Sequence, residues 1–103
     1  MTFFNDYTPR VNTLLAWAEQ ETAYAEKGTR KSAEYYASAE TLENLARYLD
    51  RDMPSKEEVK EWISRRLAKA VAELKGRQID ADERATRKGQ KYALTRLMEI
   101  TTW

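Results

Sequence analysis

Apolar side chains recur every three or four residues along four stretches of this chain, and no stretch sustains the two-residue alternation of a half-buried strand. The pattern predicts an all-α fold: a small bundle of three to four helices over residues about 8–27, 29–52, 55–76 and 80–101, in a single domain spanning 1–103. In the first, Val11, Leu15, Ala18, Thr22 and Ala25 follow one helix face, with Leu14 widening it. Thr8 suits an N-cap and Pro9 the first helical position, where a missing N–H costs nothing. Gly28 suits the left-handed residue that closes a helix. In the second, Tyr35, Ala39, Leu42, Ala46, Leu49 and Met53 run at alternating spacings of four and three, broadened by Leu45 and Tyr48, until Pro54 stops the helix.

The third helix has the clearest start. Ser55 with Glu58 three residues on is a capping box, and Glu57, Glu58 and Glu61 sit near the positive end of the helix dipole. Val59, Ile63, Leu67, Ala70 and Leu74 then form its stripe. Beyond Leu74 the stretch KGRQIDADERATRKGQK allows three readings, of which a structureless linker is disfavoured by its helix-forming residues and its lack of proline. Helices 3 and 4 are continuous through Gly76, or Gly76 caps the third and Asp80 with Glu83 opens the fourth. The break is the favoured one. Leu94, Leu97, Met98 and Ile100 complete the expected core, and Trp103 is expected to anchor the terminus.

One row in the fourth helix stands apart. Ala81, Ala85, Gly89 and Ala93 recur every four residues, and a line of small side chains lets another backbone approach closely. It is read as a helix–helix contact, within the chain or between copies.

Composition removes much chemistry. The 103 residues include no histidine and no cysteine. That takes away the commonest general base, the commonest metal ligand, thiolate nucleophiles and disulfides. No phosphate-cradling glycine loop is present. The expectation is a protein that is not an enzyme, needs no cofactor and holds no metal. The opening MTFFNDYTPR lacks the basic and apolar regions of a secretory signal, and no run is long enough to span a membrane, so a cytoplasmic location fits.

Charge and aromatic placement then define two candidate surfaces. Eight of the eleven aromatics precede residue 49. Trp17 and Tyr24 lie on one line beside the first stripe, and Tyr35 and Tyr36 point about 100° apart on the second helix. Tyr and Trp supply rigid contact area at interfaces. These four are the candidate contacts of a non-enzymatic protein-binding module, such as an adaptor or inhibitor docking on a larger protein, with homo-oligomerisation as one way to build its surface. The alternative rests on basic residues: twelve Lys or Arg face eight carboxylates after residue 54, against six and nine before it. Arg84, Arg87, Lys88 and Lys91 share one helical face that could track a nucleic-acid backbone.

Overall fold

The computed structural model describes residues 2–28, 31–76 and 79–100, with side chains from Arg10 to Glu99. Every regular element in them is helical: α1 Thr2–Glu26, α2 Ser32–Asp52, α3 Lys56–Leu74 and α4 Ala81–Ile100. No helix among the described residues is long and apolar enough to cross a membrane. Trp103 lies outside the described residues.

α1 starts at Thr2 and passes through Pro9, six residues before the start expected from the sequence. Proline's fixed φ is compatible with a helix, so Pro9 costs the rung to the Asn5 carbonyl without setting the start. At the far end Gly28 takes φ +71, which glycine adopts without strain. The Ala25 carbonyl accepts there from the Gly28 N–H at 3.1 Å and from the Ser32 hydroxyl at 2.8 Å, which ties the end of α1 to the start of α2.

Met53, not a glycine, closes α2 in the left-handed region at φ 45, donating its N–H to the Leu49 carbonyl. This turns its side chain out to solvent, so the α2 seam ends at Leu49. α3 opens on both halves of the capping box: Glu58 N–H donates to the Ser55 hydroxyl at 3.2 Å and Ser55 N–H to the Glu58 carboxylate at 2.9 Å.

α3 and α4 are separate helices, which removes the continuous reading through Gly76. The stop is a tightened turn, with Gly76 N–H donating to the Glu73 carbonyl, and no left-handed glycine is used. The restart is Asp80, whose carboxylate accepts from the Glu83 N–H at 2.8 Å. A side-chain acceptor for that N–H is what makes a new N-terminus here more favourable than an uninterrupted helix with glycine inside it.

The backbones approach in the order α1, α2, α4, α3, forming a slab of 45 × 29 × 21 Å. α1 runs against α2, with Glu21 beside Ser38 and Tyr24 beside Tyr35. α4 climbs α2 in the same sense: Gly89 lies on Glu34 and Ala37, while Gln90 and Leu94 gather near Thr41 and Asn44. α3 returns along α4, with Glu73 opposite Arg87. Because α2 has neighbours on two sides, it buries a broad face that includes Ala37, Ser38, Thr41 and Leu45 as well as its seam. Leu42, Leu45, Leu49, Ile63 and Leu97 are fully enclosed at the centre.

The α1 stripe is rotated from the expected one. Leu14, Ala18, Glu21 and Ala25 are buried, while Leu15 is 44% exposed. Spacings of four, three and four hold for this set too, but a glutamate occupies one of its positions.

The α2–α4 approach is close enough to need a missing side chain. A Cβ on Gly89 would fall inside the van der Waals envelope of the Glu34 carbonyl oxygen and 2.9 Å from the Ala37 Cβ. Ala93, one turn on, is also buried, Ala85 is half-buried and Ala81 is exposed. Replacing a helical glycine with alanine ordinarily stabilises by about 1 kcal/mol. Here the sign reverses: Gly89→Ala should lower the stability measured by urea unfolding by about 1–3 kcal/mol, since two helices must separate to admit the methyl.

Candidate functional site

The sequence-derived candidates fall in three places. Tyr24 and Tyr35 meet across the α1–α2 pair with ring centroids 5.5 Å apart, tilted by 38°. The Lys27 ammonium stands 5.2 Å from the Tyr24 ring centre. Tyr24 is 42% exposed and Tyr36 48%, which leaves much of both rings to solvent. Trp17 is separate from this group. It is half-buried, packs on the core, and is covered by the Arg96 guanidinium 4.0 Å from its ring centre. Two helical turns, about 10 Å, divide it from Tyr24.

The basic face is less uniform than the spacing implies. Arg87 is turned toward α3, where Nη2 lies 3.2 Å from Glu73 and 3.7 Å from Glu83, and Nη1 donates to Gln90 at 3.2 Å. Arg84 donates to the Leu74 carbonyl at 3.4 Å. Only Lys88 and Lys91 of the four are exposed. The small-residue row faces within the chain at Gly89 and Ala93, against α2.

Two arrangements were not visible in the sequence. In the first, Glu21 is 5% exposed, accepts from the Ser38 hydroxyl at 3.1 Å, and lies 4.0 Å from Arg96. A buried carboxylate is costly unless it is bonded and countered, and here α2 supplies the hydroxyl and α4 the cation. The same guanidinium stacks on Trp17, so one side chain of α4 engages α1 twice. On the stripe expected from the sequence the position is Thr22, so nothing there singles out its neighbour Glu21.

In the second, Tyr48 of α2 stacks on Trp62 of α3 at 5.8 Å and 14°, and Arg66 lies 4.2 Å from the Trp62 ring centre. The three sit in an open groove of about 470 Å³ with Arg65, which is paired with Glu61, and with Glu58 and Lys69. Burial, then the carboxylates of Glu58, Asp52 and Glu61, push the Tyr48 phenol above its usual value.

Comparison with known protein families, curated proteins and solved structures found no match to this chain.

Two outcomes follow from these contacts. Arg96→Ala should destabilise by about 1–2 kcal/mol, and the loss should shrink in the Glu21→Gln background, measured as a double-mutant cycle in urea. For Tyr48, the folded chain holds the proton at pH values where the unfolded chain releases it. Its contribution is therefore complete below the ordinary phenol value of 10.0 and is lost as pH rises above it. Stability should fall less between pH 10 and 11 in Tyr48→Phe than in the wild type.

Proposed function

We propose that this chain is a non-enzymatic protein-binding module whose contact surface centres on the α1–α2 end. The observation that carries the reading is the Tyr24–Tyr35 ring pair beside Lys27, with Tyr24 and Tyr36 each nearly half exposed. Two rings that fix one another lose little freedom on binding, and tyrosine offers an apolar face with a hydroxyl at its rim. Trp17, shielded by Arg96 and packed on the core, serves the bundle more than a partner. An adaptor or a small inhibitor of a larger protein suits this size, acting as a monomer or homo-oligomer in a reducing cytoplasm.

The nucleic-acid reading has less behind it. Arg87 and Arg84 are engaged with α3, and two exposed lysines make a short phosphate track.

Affinity capture from the native cell, followed by titration of the purified partner, tests the proposal. Tyr24→Ala with Tyr36→Ala should weaken that partner's binding at least tenfold. Their cost in stability should stay near the 0.5–1.5 kcal/mol of a lost ring pair. Unchanged affinity for the partner, or several kcal/mol lost from the fold, would refute it. Salt-sensitive binding to generic duplex DNA, abolished by Arg87→Glu with Lys88→Glu, would favour the alternative.

A further inference from the structure

We infer that this chain assembles head to tail with copies of itself, an acidic face on α1 and α2 docking on the basic outer side of α4. The inference goes beyond the tyrosine surface proposed above, sharing Tyr36 with it and needing neither Tyr24 nor Tyr35.

Helix phase defines the acidic face. Leu15, Glu19 and Glu26 lie on one line of α1, and all three are exposed. Trp17 under Arg96 marks the side of α1 that α4 approaches, and this line lies almost opposite it. On α2, Tyr36, Glu40, Glu43, Arg47 and Asp50 recur at spacings of four and three, turned away from Glu34 and Ala37, where α4 packs. The antiparallel register of Glu21 on Ser38 and Tyr24 on Tyr35 sets Glu19 level with Glu40. The two lines therefore form one surface.

Five carboxylates and one cation, Arg47, leave this surface at −4. Glu43 lies 3.8 Å from Arg47, while Glu19, Glu26, Glu40 and Asp50 have no ion pair among the described residues. Like charges on adjacent turns of a helix, as at Glu40 and Glu43, are destabilising. Leu15, 44% exposed, and Tyr36, 48% exposed, stand open to water among them. A partner that suits this surface brings cations around an apolar side chain.

The same chain carries such a face. Its net charge is +1, so everything outside the acidic surface amounts to +5. On the outer side of α4, Arg84, Lys88 and Lys91 stand against one carboxylate, Glu99, and Tyr92 among them is 56% exposed. Lys88 and Lys91 have no ion pair among the described residues. Because α4 packs on the side of α2 away from the acidic lines, the two faces look in opposite directions.

Charge selects the arrangement. Two acidic faces repel, and so do two basic ones, which disfavours a two-fold dimer built on either. Acidic on basic is attractive, and each pair so joined still presents one free face of each kind. A heterologous contact of this sort continues into a chain of copies unless its rotation closes a ring. Leu15, Tyr36 and Tyr92 supply the apolar area between the faces, and the charges supply the direction.

The test is sedimentation velocity of the full chain from micromolar to millimolar concentration, in low and in high sodium chloride. The weight-average mass should rise with concentration to and beyond the dimer, and fall as salt screens the exposed charges. Glu19→Lys with Glu40→Lys leaves the chain with two basic faces, and Lys88→Glu with Lys91→Glu with two acidic ones. Each variant should be monomeric by itself. An equal mixture of the two should assemble again, since every contact then meets opposite charge. Leu15→Ser, which changes no charge, should weaken assembly at least tenfold, and it carries the test if a reversal fails to fold. A wild type that stays monomeric at millimolar concentration in low salt, a mass that stops at the dimer, or a mixture of folded variants that stays monomeric would each overturn the proposal. None of these substitutions alters a tyrosine, so that outcome leaves the contact surface at Tyr24 standing.

Discussion

The spacing between α2 and α4 governs this molecule, and it is set by one absent side chain. With hydrogen at Gly89, the α4 backbone comes against the Glu34 carbonyl and Ala37. Typical helix axes lie 8–10 Å apart according to the side chains between them, and glycine permits the short end of that range. The approach has consequences along both helices. It lets Ala93, Leu94 and Leu97 reach the Leu42–Leu45–Leu49 centre, and it carries Arg96 over to Trp17 and Glu21. It also fixes α3, which rests its backbone on α4, so the pocket between α2, α3 and α4 takes its width from the same contact.

Polar groups then decide how the apolar surfaces register. Hydrophobic burial is non-directional and would accept small rotations of α1 on α2. The Glu21–Ser38 bond and Arg96 do not, because rotation would leave a carboxylate in the interior without partners. Thr22 and Thr41 make no such demand, since each hydroxyl donates to the carbonyl four residues back in its own helix. Specificity in this bundle rests on a few directional contacts laid over an ordinary leucine and alanine core.

Local signals were legible in the sequence and long-range ones were not. The helical period, the Ser55–Glu58 box, Gly28 and Asp80 all act through neighbours within four residues, and a linear reading reaches that far. Glu21 was passed over because charge is normally exposed, and its partners lie seventeen residues away and on α4. Helix phase puts Arg87 on the basic face with Arg84, Lys88 and Lys91. Only the tertiary fold brings Glu73 within reach. Met53 continued the α2 seam on paper, but the left-handed turn before Pro54 swings it outward. The groove and the pocket each draw residues from helices far apart in sequence, and no spacing rule anticipates them.

The sequence of neighbours α1, α2, α4, α3 sets an order of disassembly. Each outer helix has close backbone approach to one other helix, and each inner helix to two. Amide protection should accordingly be deepest in α2 and α4 and shallower at the margins. α3 holds to α2 by side chains, Trp62 on Tyr48 and Val59 and Ile63 in the shared leucine core, so lifting it away would lay that core open.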